Sequence, residues 1–288
     1  MDMSWDDLAG LEEQRENARK NLLLVDGNNV AYRYIKRANY NNFTEDYIRT
    51  VESLAKSYDA RRTIICFDFG KSYYRNSIYP EYKDNRSPPK DPEEKEKYDE
   101  FFNCLNFTID LLAERNMEYY KLRGVEADDL LTFFVQNLSD EYEHTWIISS
   151  DRDLYQLLEE DISIFNMFSR KEITLESLKE EHNCSPEQHM LAKIIQGDKS
   201  DNIFGIDGIG EKRALDLAIK YHNLNNLIAN LPIKGSKAKY IANLNAGKDK
   251  LILNEQLVNL VEYNQQAIEM GKEESEGWQQ LQSALIYK

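Results

Sequence analysis

Residues 123–134, RGVEADDLLTFF, set Glu126, Asp128 and Asp129 at the head of an apolar run. Acids in a first helical turn gain from the helix dipole and from free backbone N–H groups. Three like charges within four positions also repel one another, and a cap rarely calls for so many. Similar acids recur elsewhere. Short apolar runs read as strands at 21–26 (NLLLVD), 63–68 (TIICFD), 118–122 (EYYKL) and 144–151 (HTWIISSD), each followed by turn residues and a helical pattern. Alternating strands and helices predict a wound, largely parallel α/β sheet flanked by helices. The carboxyl ends of such strands line the ligand crevice. Asp26, Asp68, Asp151 and Asp153 therefore face the same edge as the EADD helix start.

After about residue 185 the pattern changes to short helices with Gly-rich turns, which divides the chain into an α/β part, 1–185, and a helical part, 186–288. Asp198 and Asp201, in GDKSDNI, open the helical part and close over the same edge. A lone strand-terminal Asp is ordinarily a turn or cap residue, and EADD alone reads as a helix cap. Nine carboxylates converging on one edge need counter-cations or strongly raised pKa values. Oxygen ligands without neighbouring Cys or His favour a hard ion, Mg²⁺ or Mn²⁺, over zinc. Two such ions about 3.5–4 Å apart suit in-line phosphodiester cleavage.

Composition limits the rest. With 41% hydrophobic and 30% charged residues among 288, the chain reads as globular. Its N-terminus, MDMSWDDLAG, lacks the basic and apolar regions of a signal peptide, and no apolar run is long enough for a membrane span, so a cytoplasmic monomer is expected. Cys66, Cys104 and Cys184 form no C-x-x-C pair and read as reduced core residues; the four histidines lack zinc-type spacing and read as surface or loop residues. A net charge of −15 argues against a polyanionic partner. Its distribution reverses that inference: Arg33, Lys36 and Arg37 stand without an acid in 31–40, and Lys234, Lys237, Lys239, Lys248 and Lys250 face only Asp249 in 233–250.

GIDGIGEKRA, 205–214, has the form of a helix-hairpin-helix. Gly208 and Gly210 open a helix whose free N–H groups aim at a phosphate, and Lys212 and Arg213 extend that anion site. Residues 71–90 interleave Lys71, Arg75, Lys83, Arg86 and Lys90 with Tyr73, Tyr74, Tyr79 and Tyr82. Cations for phosphates and aromatic faces for bases are what a single strand needs; an exposed basic loop with core-packed tyrosines is the alternative.

Taken in order, GVEADD, SSDRDLYQL, GDKSDNIFGIDGIGEKRA and YPEYKDNRSPP resemble the 5′-nuclease family that includes the 5′-nuclease domain of bacterial DNA polymerase I and the stand-alone flap endonucleases (5′–3′ exonucleases) of T-five-like bacteriophages. The resemblance spans roughly residues 22 to 245. It implies a two-metal site on a PIN-like fold, a helical arch at about 71–106 that passes a free 5′ end, and a helix-three-turn-helix at about 197–221 that grips duplex DNA, often around a monovalent cation such as K⁺. On matching positions, Asp26, Asp68, Glu126, Asp128 and Asp129 form one acidic cluster and Asp151, Asp153, Asp198 and Asp201 another. Lys83 and Arg86 approach the reacting phosphate, where a cation stabilises developing charge.

Arg33, Lys71, Arg75, Tyr82, Lys237 and Lys239 are further DNA-contact candidates. Phe204 and Asp207 depart from the family pattern, which usually has proline there; the tail after about 250 matches weakly, and its acids Glu269, Glu273, Glu274 and Glu276 have no assigned role. The expectation is a 5′ nuclease acting on DNA with 5′ flaps or free 5′ ends, leaving a 5′-phosphate on the retained strand. A PIN-type ribonuclease and an inactive junction-binding protein are the rival readings.

Overall fold

In the computed structural model, residues 20–37, 39–272 and 277–285 are described. The first nineteen residues and Glu273, Glu274 and Glu276 of the acidic tail lie outside them. The sheet strands are β1 (Asn21–Asp26), β2 (Ala60–Cys66), β3 (Tyr119–Tyr120), β4 (Thr145–Ile148), β5 (Ile162–Asn166) and β6 (Lys171–Ile173), in spatial order β3-β2-β1-β4-β5-β6. All neighbours are parallel except β5 and β6. Every strand of the expected four is present but shorter at its C-terminal end than its apolar run, except β1. β2 stops two residues before Asp68, because the chain turns there to bring that acid over the edge. The hairpin β5–β6 was not foreseen: its polar second strand, KEI, carries no apolar alternation.

Helices α1 (Gly27–Tyr32), α2 (Phe43–Ser57), α3 (Tyr73–Ile78), α4 (Pro92–Glu114) and α5 (Ala127–Leu138) surround the sheet, followed by α6 (Leu175–His182) and α7 (Pro186–Gln196). Successive β1 residues point to opposite faces. Leu22 and Leu24 join Leu130, Leu131 and Phe134 of α5, while Leu23 and Val25 join Phe43 and Tyr47 of α2 and Phe101 and Leu112 of α4. Burial on both faces explains why β1 reads as an unbroken apolar run.

Beyond α7 come a two-stranded ladder, β7 (Gly197–Asp198) with β8 (Ile203–Phe204), and helices α8 (Glu211–Tyr221), α9 (Leu224–Ala229), α10 (Lys239–Ala246), α11 (Lys248–Val258), α12 (Leu260–Lys272) and α13 (Gly277–Ala284). A separate core built from Leu191, Ile194, Leu217 and Leu244 holds α7 to α11 together. The last two helices reach back across the molecule: Leu260, Ile268, Leu281 and Ala284 pack into the α/β core beside α5. His189 also departs from expectation, since it packs against Tyr155 at 5.3 Å instead of standing in solvent. Among the described residues, no helix is long and apolar enough to cross a membrane.

Candidate active site

The carboxyl ends of β1, β2 and β4 bring the acids to a cavity of about 210 Å³. Asp26, Asp68, Glu126, Asp128, Asp151, Asp153 and Asp201 line it, with Lys83 and Arg86 opposite. Backbone bonds hold the acids in place. Asp26 caps α1, accepting from the Asn29 N–H at 2.9 Å and from the Ser149 hydroxyl at 2.8 Å. Asp68 accepts from the Ala127 N–H at 2.7 Å, which ties the end of β2 to the first turn of α5. Asp151 accepts from the Asp153 N–H at 2.9 Å. Two asparagines complete the frame: Asn28 accepts from the Asp68 N–H and Asn29 from the Ser150 N–H, each at 3.0 Å.

The second cluster comes from the β7–β8 turn. Asp198 accepts from the Ser200 N–H at 2.7 Å. One carboxylate oxygen each of Asp153, Asp198 and Asp201 lies within 4.8 Å of the others. Gly197 starts β7 at φ +78°, where its position would put a Cβ 2.3 Å from the Gly205 N. A side chain there would therefore open the turn that aims Asp198.

Crowding registers in the ionisation of these groups. Burial, then repulsion from Asp68, pushes Asp26 up to about 7. Burial and repulsion from Asp151 raise Asp128 well above the usual carboxylate range, and burial with Glu126 nearby raises Asp68. Burial raises Asp153 to about 6 even though Lys193 opposes it. Asp198 goes the other way, to about 2, because Lys193 and Ser200 outweigh its burial. Cationic side chains occupy the carboxylates: Lys193 bridges Asp153 and Asp198, Lys83 pairs with Glu126 and lies 3.7 Å from Asp201, and Arg86 pairs with Asp201. An all-oxygen donor set that recruits ammonium and guanidinium groups fits hard divalent cations.

Four expected site residues are placed otherwise. Asp129 is wholly buried on the far side of α5's first turn, where Arg75 grips it with two bonds of 2.7 and 2.8 Å. Arg75, 3% exposed, also meets Glu126 at 2.9 Å and donates to the Leu257 carbonyl at 3.0 Å. Asp129 and Arg75 are thus paired with each other: the third acid of EADD meets a buried guanidinium. Tyr82, 4% exposed, donates to Glu126 at 3.1 Å and cannot offer its face to a base. Arg33 lies outside the cavity, in a separate groove with Arg37, Arg49 and Arg170.

The segment between α3 and α4 is seated on the β7–β8 turn. The Lys83 N–H donates to the Asp201 carbonyl at 3.0 Å, Asn85 to Lys199 at 2.8 Å and Arg86 to Ser200 at 3.2 Å. The helix in which the expected arch segment ends, α4, runs on past 106 to Glu114. Lys71 is exposed and pairs with Asp84 at 2.8 Å. In the helix-hairpin-helix, Gly208 has φ +82° and Gly210 precedes α8 with no side-chain cap, leaving the helix N–H groups open. Lys212, Lys237 and Lys239 are exposed; Arg213 donates to the Gly208 carbonyl at 2.8 Å and lies 4.8 Å from the Tyr240 ring. Sequence reasoning missed Lys193, Asn28, Asn29 and Ser149. The two asparagines follow Asp26 directly and were legible; Lys193 was hidden in a helix as one more surface cation.

A wound sheet with paired carboxylate clusters at its C-terminal edge, joined to a helix-hairpin-helix, is the architecture of the 5′–3′ exonucleases, and the chain belongs to that family. Residues 21–183 match its N-terminal resolvase-like domain and residues 184–280 its C-terminal SAM fold. The chain is 39% identical over 272 residues to the flap endonuclease of Escherichia phage T5, covering 93% of each. It is 30% identical over 234 residues to the 5′-3′ exonuclease of Buchnera aphidicola, covering 76% of this chain and 79% of that one. The T5 flap endonuclease in complex with DNA and metal ions superimposes with a TM-score of 0.86 at 36% identity, over 93% of this chain and 98% of that one.

Proposed function

We propose that the chain is a divalent-metal-dependent 5′ nuclease, acting as flap endonuclease and 5′–3′ exonuclease. Its substrate is DNA with 5′ flaps or free 5′ ends, and it works as a cytoplasmic monomer in primer and flap removal. The carrying observation is the cavity in which carboxylates from β1, β2, α5, β4 and the β7–β8 turn converge on Lys83 and Arg86. Asp26, Asp68, Asp128 and Asp151 would hold one Mg²⁺, and Asp153, Asp198 and Asp201 a second, with Mn²⁺ as a substitute. When bound, such ions supply an activated water and neutralise charge on the reacting phosphodiester. The chain does the rest. Glu126 and Asp201 keep Lys83 and Arg86 at the cavity mouth, where each exchanges a carboxylate for a phosphate oxygen as the strand enters. Charge developing on that phosphate is then stabilised by preset cations.

Duplex binding rests on the open N–H groups before α8, with the exposed Lys212, Lys237 and Lys239 as further phosphate contacts. A K⁺ there would draw on loop oxygens such as the Asp207 and Gly208 carbonyls, which accept one bond each, from Asn243 and Arg213 at 2.8 Å, and keep a second lone pair. The test is cleavage of a labelled 5′-flap duplex with Mg²⁺ or chelator, beside an unbranched duplex and a single-stranded RNA. Mg²⁺-dependent cutting at the junction, abolished by Asp153→Asn with flap binding retained, is expected. Lys83→Ala should lower turnover far more than duplex affinity. Binding without cutting in Mg²⁺ and Mn²⁺ refutes the enzyme, and preferred RNA cutting substitutes a ribonuclease.

A further inference from the structure

One aromatic side chain beside the cavity has no role in the chemistry above. Phe69 follows Asp68 directly and leaves 42% of its surface exposed. The Lys121 ammonium lies 5.4 Å and the Arg123 guanidinium 5.9 Å from its ring centroid. Neither cation is ion-paired with a carboxylate among the described residues. On a chain of net charge −15, two cations gathered on one exposed ring, without a carboxylate partner among the described residues, make a local site for a polyanion that also carries flat faces.

The patch is rigidly mounted. Phe69 accepts from the Gly124 N–H at 2.7 Å. Behind it, Gly271 of α12 and Gly277 of α13 approach so closely that a Cβ on either would lie 3.0 Å from the Arg123 and Lys121 carbonyls. Its place in the fold gives it direction. The helix-hairpin-helix joins the α/β part through α7, next to the end of β4, and Asp198 and Asp201 meet Asp153 there. Phe69, Lys121 and Arg123 sit at the β2–β3 edge of the same sheet, with β1 and the catalytic cavity between. A strand whose duplex is held on the β4 side and whose reacting phosphate lies in the cavity leaves toward β3.

We infer that Phe69, Lys121 and Arg123 form the exit platform for the displaced 5′ single strand, one base stacking on Phe69 while the cations meet the flanking phosphates. The inference rests on the proposed 5′-nuclease reading and deepens it: the platform rewards flap length, which the cavity alone does not sense.

The test compares KM and kcat on flaps of one and ten nucleotides, for the wild type, Phe69→Ala and the double variant Lys121→Gln/Arg123→Gln. A stacked base contributes about 1–3 kcal/mol, so the wild type should show a KM about tenfold lower on the long flap. Each variant should lose most of that gain while matching the wild type within about twofold on the short flap. The double variant should flatten the salt dependence of log KM on the long flap by about 1.4, from about 0.7 per single-strand phosphate contact. An abasic long flap should reproduce the Phe69→Ala loss in the wild type. Retained length dependence in both variants, or none in the wild type, overturns the platform and leaves the nuclease intact. Failure of the wild type to cut any flap in Mg²⁺ or Mn²⁺ refutes the nuclease reading, and the platform with it.

Discussion

Replacing Arg75 with methionine separates two accounts of the basic segment after β2. If Arg75 contacted DNA, Arg75→Met would weaken binding and leave the fold untouched. The structure requires the reverse, because the guanidinium is 3% exposed and Asp129 beneath it is fully buried. Removing one partner of a buried ion pair costs about 3–5 kcal/mol, since the other charge is stranded without water. The Leu257 carbonyl loses its donor as well. For a chain of this length the unfolding entropy is about 0.6 kcal/mol/K, so Tm should fall by about 5–8 °C. Pairing the change with Asp129→Leu removes the stranded charge and should restore most of the loss. Differential scanning calorimetry of the wild type, the single and the double variant measures this directly, beside flap binding. A single variant that melts within about 1 °C of the wild type but loses flap affinity would refute the pairing, and would return Asp129 to the metal set.

Three further outcomes follow from the site. Asp26 and Asp153 have folded pKa values of about 7 and about 6, above their unfolded values, so the folded protein binds more protons across that window. In chelator, unfolding free energy should therefore fall as pH rises from about 4 to about 7, and saturating Mg²⁺ or Mn²⁺ should abolish that fall in urea titrations. His189, which burial lowers to about 4, slopes the opposite way over the lower part of that window. Gly124→Ala should destabilise by more than about 1 kcal/mol, because φ is +75° and its Cβ would meet the Tyr73 ring at 2.2 Å; thermal unfolding reports it. Tyr82→Phe keeps the ring but loses the bonds to Glu126 and Asp201, so it should cost about 1 kcal/mol in urea unfolding and leave single-strand affinity unchanged.

Much of the architecture was legible because β1 is a short apolar run bounded by turn residues and α5 carries a helical period. The clustering of acids at strand ends was legible for the same reason, since parallel topology alone sends Asp26, Asp68 and Asp151 to one edge. Partnership was not. Asp128 and Asp129 are adjacent in sequence but lie about 100° apart around the helix, so one faces the cavity and the other meets a guanidinium from a different segment. Nothing in EADD distinguishes them. Tyr82 failed likewise: its neighbours Lys83 and Arg86 reach the cavity, while its own ring turns into the core of the helical part. Lys193 was illegible because its two acceptors come from β4 and the β7–β8 turn, and only folding brings them to one ammonium.

The bond from Arg75 to the Leu257 carbonyl spans 182 residues of chain. The same guanidinium holds the first turn of α5, and with it the helix that presents Glu126 and Asp128 to the cavity. On a ribosome, which delivers the N-terminal part first at about 5–20 residues per second, the nascent sheet and both acidic clusters emerge well before their anchor. A translating chain that ends in α10 lacks Leu257, the α12 face that covers α5 and the glycines behind Phe69. The first turn of α5, and the acids it presents, is thus fully held only once the chain has been made past Leu257.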